Sequence, residues 1–225
     1  MTSNQKIVRQ SLIEWYPFDK NDEVVLINGG DSFLDELIES RSRLTIIDEY
    51  KSLLSCLEDG NEFDVVIMYD LYDACIRWNV EINELVKSLI DIKQLNGTLF
   101  IAMENKLGMK YWAGCQEEHF GGYFVGIEDY SSWSDKVHPL SKKEIEDIFD
   151  GFDVDYKFYY PYPDYKYPTM LFTDECLPKE GELFRNIRNI DRDRYVMFDE
   201  KKAFDSVIKA GLFPEFSNSY LMLIK

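Results

Sequence analysis

Glu117, Glu118 and His119 stand side by side in the stretch AMENKLGMKYWAGCQEEHFGGYFVGIEDY, residues 102–130. Two carboxylates beside an imidazole can ligate a divalent ion, and a neutral imidazole can take a proton from an acceptor hydroxyl. Three consecutive side chains rarely all face one ion, and no H-x-x-x-H spacing accompanies them, so no metal site is predicted. His119 is one of only two histidines and is the candidate general base. Its plain alternative is a histidine hydrogen-bonded within a packed loop. The stretch also carries Gly108, Gly114, Gly121, Gly122 and Gly126 among the aromatics Tyr111, Trp112, Phe120, Tyr123 and Phe124. Those rings could stack on a sugar or nucleoside, or form a small core of their own. Leaving Trp112, Phe120, Phe124 and Ile127 exposed would forfeit roughly 1.5–3 kcal/mol each. Residues 106–130 are therefore expected to fold as a lid, with His119, Tyr123 and Glu128 near the main pocket.

The elements ahead of this loop must position it. VVLIN (24–28), RLTIIDEY, FDVVIMYD and GTLFIAMEN read as apolar strands. Between them lie DSFLDELIES, with Asp31 or Ser32 as cap, KSLLSCLEDG, and a long helix over 73–95. Apolar strands alternating with helices predict an α/β, doubly wound, mostly parallel sheet covered on both faces. Ligands in such sheets sit beyond the carboxyl ends of the strands. Those ends are Asn28-Gly29-Gly30, Asp48-Glu49, Tyr69-Asp70 and Glu104-Asn105. Each has a plain reading too: a tight turn at Gly29-Gly30, helix caps at Asp48 and Asp70, a strand-to-loop turn at Glu104-Asn105. Further on, Ser141 and Glu144 have capping-box spacing. FDVDYKFYYPYPDY is a strand, DEKKAFDSVIKAG a helix, and NSYLMLIK a final strand expected to pair antiparallel at one edge. YYPYPDYKYP suits a carbohydrate or peptide surface, but the favoured reading is a proline-fixed edge that blocks further strand pairing.

Composition removes several partners. The net charge of −17 argues against nucleic acid and against the membrane surface. RNIRNIDRDR is the one local basic patch, diluted by Asp191 and Asp193. No apolar run approaches the ~20 residues needed to span a bilayer, and the N-terminal residues lack a secretory h-region. Cys56, Cys75, Cys115 and Cys176 form no C-x-x-C pair, which predicts a reduced, cytoplasmic protein.

The order of elements in VVLINGGDSFLDELIESRSRLTIIDEY resembles the first βαβ unit of class I S-adenosylmethionine-dependent methyltransferases. ENKLGMKYWAGCQEEHFGGYFVGIEDY, YYPYPDYKYPTMLFTDECLP and RNIRNIDRDRYVMFDEKKAFD are similar to segments of methyltransferase-like proteins found with glycosyltransferases in bacterial surface-polysaccharide systems. The resemblance implies a single Rossmann-like domain over 1–225 with an antiparallel C-terminal edge. A lid-like insertion at about 106–140 and a Tyr/Pro-rich one at about 160–198 would elaborate it. It implies S-adenosylmethionine as cofactor, held by Asn28, Gly29 and Gly30, by Asp48 or Glu49 on the ribose, and by Tyr69, Asp70 and Glu104. His119, Asn105 and Tyr123 would serve catalysis on a small polar or sugar acceptor. A glycosyltransferase is the implied protein partner, and a non-catalytic interaction or regulatory module is the alternative. Two departures stand out. INGGDSF replaces the family's E/D-x-G-x-G-x-G loop, and the few residues before FDVV make the family's third strand hard to find. NGGDSF also lacks the G-x-G-x-x-G of a dinucleotide-binding dehydrogenase.

Overall fold

The computed structural model describes residues 10–29, 34–133, 136–184 and 196–225. Gly30, the Asp31/Ser32 cap and the basic patch at 185–194 lie outside them. The elements in chain order are β1 (Glu23–Ile27), α1 (Leu34–Glu39), β2 (Arg43–Ile47), α2 (Tyr50–Glu58), β3 (Phe63–Met68), α3 (Leu71–Trp78) and α4 (Ile82–Asp91). There follow β4 (Lys93–Glu104), α5 (Met109–Trp112), α6 (Lys142–Phe149), β5 (Tyr156–Tyr162), β6 (Met170–Thr173), α7 (Glu200–Lys209), α8 (Phe213–Phe216) and β7 (Ser219–Ile224).

The strands form one sheet in the order β2-β1-β3-β4-β7-β5-β6. The first four are mutually parallel, while β7 runs antiparallel to both β4 and β5. This is the Rossmann-like arrangement expected, with its antiparallel C-terminal edge. Residues alternate across the sheet, so β1 sends Val25 and Ile27 to one core and Val24 and Leu26 to the other. The larger core takes Leu53, Tyr72, Leu85, Leu89, Ile145 and Phe204 from the helices. The smaller is closed by Leu12, Ile13 and the α1 residues Leu34, Leu37 and Ile38. Beyond β2 there is no further strand among the described residues: α2 ends at Glu58 and β3 begins at Phe63.

Three expectations are corrected. The single helix over 73–95 is two, because Asn79 adopts a left-handed conformation (φ 54°) that ends α3. Its last residues belong to β4, which begins at Lys93 rather than at Gly97. The Tyr/Pro stretch does not block pairing. β5 pairs with β7 through Tyr156–Tyr159 and with β6 through Tyr159–Tyr162. Pro161 lies in the half that faces β6, which is the true edge strand. Ser141 and Glu144 do form the capping box their spacing predicts.

Candidate functional site

Three strand tips are tied to one another. Asn28 sits just past β1 with φ 58°, a conformation asparagine tolerates better than most residues. Its amide nitrogen donates to the carbonyls of Tyr69 (3.0 Å) and Asp70 (3.1 Å) and to the Asp73 carboxylate (3.2 Å). Arg77 donates to its amide oxygen. Asp70, also left-handed at φ 59°, caps α3 by accepting from the Asp73 backbone N–H at 3.1 Å. Gly29 lies against Leu26 so closely that a Cβ there would fall 2.4 Å from the leucine side chain. Asp48 and Glu49 stand exposed beyond β2, where the Trp78 indole donates to the Asp48 carbonyl at 3.1 Å.

The tip of β4 is the centre of a buried charge network. Glu104 is fully buried. Lys110, from α5, reaches it at 3.2 Å and also contacts Glu118 (3.0 Å) and Asp164 (2.8 Å). Lys166 approaches Asp70 and Glu104, each at 3.6 Å, and donates to Glu118. The Tyr111 hydroxyl donates to the second oxygen of Glu104. The loop after β4 supplies Lys110, Tyr111 and Glu118, and the Tyr/Pro segment supplies Asp164 and Lys166. Two close approaches allow this fold. A Cβ on Gly108 would meet the Asn218 backbone at 2.9 Å, and one on Gly126 would meet the Lys106 carbonyl at 3.0 Å.

Burial and neighbouring charge set the protonation states. Burial raises the Glu104 carboxyl well above its usual range, and the adjacent Glu118 adds to that. Glu118 goes the other way, since Lys110, the hydrogen bond from Glu104 and Lys166 outweigh its burial. Burial alone would depress both lysines, but the surrounding carboxylates hold Lys110 and Lys166 well above normal. The geometry thus drives the two adjacent carboxyl groups apart, Glu104 upward and Glu118 downward, beside two fixed lysines.

The predicted catalytic residues have separate fates. His119 lies beside this centre, with one donor atom each from Glu104, Glu117 and His119 within 4.8 Å of one another. Its Nε2 is closed from solvent and has no hydrogen-bond partner among the described residues. Glu117 shapes the turn, its Oε2 accepting from the backbone N–H groups of His119 (2.8 Å) and Phe120 (2.5 Å). Tyr123 is half-exposed, its backbone bridged to Gln116. Asn105 is fully buried and bonded to backbone. It donates to the carbonyls of Glu215 (2.8 Å) and Ser217 (2.7 Å) and accepts from the Leu107 N–H (3.0 Å).

Sequence reasoning passed over Lys110, Asp164, Tyr165 and Lys166. The lysines look like ordinary solvated residues, and only the D-Y-K triplet inside the tyrosine-proline run hints at a paired cluster. Tyr165 is fully buried, its ring 5.3 Å from that of Tyr69, and its hydroxyl has no hydrogen-bond partner among the described residues. A buried hydroxyl left unpaired costs about 1–3 kcal/mol. Tyr165→Phe is therefore expected to raise stability by about 1 kcal/mol in urea denaturation; a loss of stability would show that the hydroxyl has a partner in solution.

No family model matches the chain, and a search of curated proteins finds no match. Solved structures do match. A cyclopropane-fatty-acyl-phospholipid synthase-like protein from Lactobacillus casei superposes over 100% of this chain and 94% of its own, with TM-score 0.49 and 10% identity. A SAM-dependent methyltransferase from Archaeoglobus fulgidus covers 98% of this chain and 94% of its own length, with TM-score 0.54 and 12% identity. With the sheet order above, that superposition makes the fold of this chain class I methyltransferase-like.

Proposed function

We propose that the chain is an S-adenosylmethionine-dependent methyltransferase acting on a small polar or sugar acceptor, in the context of bacterial surface-glycan assembly. The observation that carries this reading is the convergence at the carboxyl ends of the strands. There Asp70, to which Asn28 is bonded, and Glu104 are joined through Lys166 to a loop that brings in Glu118 and His119. The residues present fit the cofactor in two respects. Asp48 and Glu49 are exposed at the β2 tip, where a carboxylate can accept two ribose hydroxyls. The closed-off His119 Nε2 marks a place where a polar ligand atom would find a partner. In this reading Gly29, Tyr69, Asp70 and Glu104 serve the cofactor and His119 the acceptor.

The cofactor supplies an electrophilic methyl group on a sulfonium. The chain's part is to align the acceptor and to receive its proton in the imidazole–carboxylate cluster, so most of the acceleration comes from positioning. The resemblance of the second half of the sequence to proteins associated with glycosyltransferases supports the glycan context.

A second reading has its own support. Lys166 and Arg77 already engage Asp70, Glu104 and Asn28, so the strand tips satisfy themselves without a nucleoside. That suits a non-catalytic module partnering a glycosyltransferase. Calorimetry with S-adenosylhomocysteine decides between them. The methyltransferase reading expects saturable binding that Asp48→Ala weakens about tenfold, the loss of one charged hydrogen bond. A flat titration at millimolar ligand, with the protein folded, sinks it and leaves the module.

A further inference from the structure

We infer that Glu104, Glu117 and His119 form a binding site for one divalent transition-metal cation of the manganese, iron or zinc class. The loop alone could not supply it, since Glu118 turns toward Lys110 and Lys166. The third ligand comes from the end of β4. Carboxylate oxygens of Glu104 and Glu117 and a ring nitrogen of His119 lie within 4.8 Å of one another. Ligand atoms bound at about 2.1 Å to a common ion lie roughly 3–4 Å apart, so a modest inward movement seats the cation.

Two further observations point the same way. The His119 Nε2 has no hydrogen-bond partner among the described residues although it is shut from solvent, and imidazole nitrogen in that condition is a ready ligand. The charge balance also favours a cation. Asp70, Glu104, Glu117, Glu118 and Asp164 gather around two ammonium groups, those of Lys110 and Lys166. Both lysines approach Glu104 through Oε1, whereas Oε2 accepts from the Tyr111 hydroxyl.

Two carboxylates and one imidazole select among ions. Oxygen ligands alone would suit magnesium or calcium, and the nitrogen shifts preference toward manganese, iron and zinc. Glu117 is held in place by the backbone N–H groups of His119 and Phe120, which is how ligating carboxylates are commonly oriented. With a cation seated, His119 is a ligand and no longer a free base. The cation would instead lower the pKa of a hydroxyl bound to it.

The test uses the full chain, stripped with EDTA and titrated with Mn²⁺ while the free-ion electron paramagnetic resonance signal is followed. No S-adenosyl ligand is added, so the outcome is independent of the methyltransferase reading. One Mn²⁺ per chain is expected to bind, more tightly than Mg²⁺ in competition. His119→Ala and Glu117→Gln should each weaken it at least about tenfold, and exposed Glu58→Gln should leave it unchanged. Circular dichroism checks folding; if Glu117→Gln fails to fold, His119→Ala alone decides. No binding at millimolar Mn²⁺ overturns the inference. So does binding that survives His119→Ala undiminished, or that Glu58→Gln weakens equally.

Discussion

Lys110→Met is expected to destabilise the protein by about 3–5 kcal/mol, the usual cost of removing one partner from a buried ion pair. Methionine nearly matches the lysine stem in length, so the loss isolates the charge. The ammonium is almost wholly buried and serves Glu104, Glu118 and Asp164 at 3.2, 3.0 and 2.8 Å. Without it Glu104 and Glu118 retain the ammonium of Lys166, which is itself shared with Asp70, and Asp164 loses its ion pair. Lys157→Met provides the scale. Its pair with Glu175 is exposed on both sides, and such pairs contribute about 0–1 kcal/mol. Urea denaturation of both variants measures the contrast. The triple change Lys110→Met, Glu104→Gln, Asp164→Asn should recover much of the loss, because it removes the stranded charges along with their partner. A Lys110→Met variant as stable as wild type would show that water reaches the network and that the charges are not truly buried.

The contrast between the legible and the illegible parts follows from the range of the interactions. β1, β2, β3 and the buried end of β4 were readable because each is a short apolar run bounded by turn residues, and that signal is local. The absent strand was readable for a simpler reason: chain length, since four residues cannot form a crossover and a strand. The break at Asn79 was hidden because apolar residues continue on both sides of it with helical spacing, and the left-handed turn leaves no mark but one asparagine. β6 was hidden because MLFT is only four residues long and half-buried throughout. At the site, the strand-tip acids were found by position alone. Their partners were not, because Lys110 meets Asp164 across 54 residues of chain. A lysine that will be buried against carboxylates is, in sequence, the same as one that will be solvated.

Asn105→Ala is expected to cost about 2–4 kcal/mol, since it leaves one buried carbonyl, one half-buried carbonyl and one half-buried N–H without their side-chain partner. The carboxamide donates to the carbonyls of Glu215 and Ser217 and accepts from the N–H of Leu107, so it stitches the end of β4 to the segment that leads into β7. Its own backbone N–H adds a bond to the Asn218 carbonyl at 3.2 Å. This geometry gives asparagine a specific advantage, because both donors point at carbonyls and the oxygen points at an N–H. Asn105→Asp keeps the acceptor but sets a carboxylate against two carbonyl oxygens in a dry site. It should therefore be worse than alanine at neutral pH and should approach it as the pH falls and the acid takes up a proton. Thermal and urea denaturation across that pH range measure the order. Affinity for S-adenosylhomocysteine in whatever fraction of Asn105→Ala stays folded tests the other role. A variant with wild-type stability and lost affinity would return Asn105 to the site as a ligand-facing group. Large destabilisation with affinity retained would make it a positioning residue, one that holds Glu104 at the strand tip through the chain on either side.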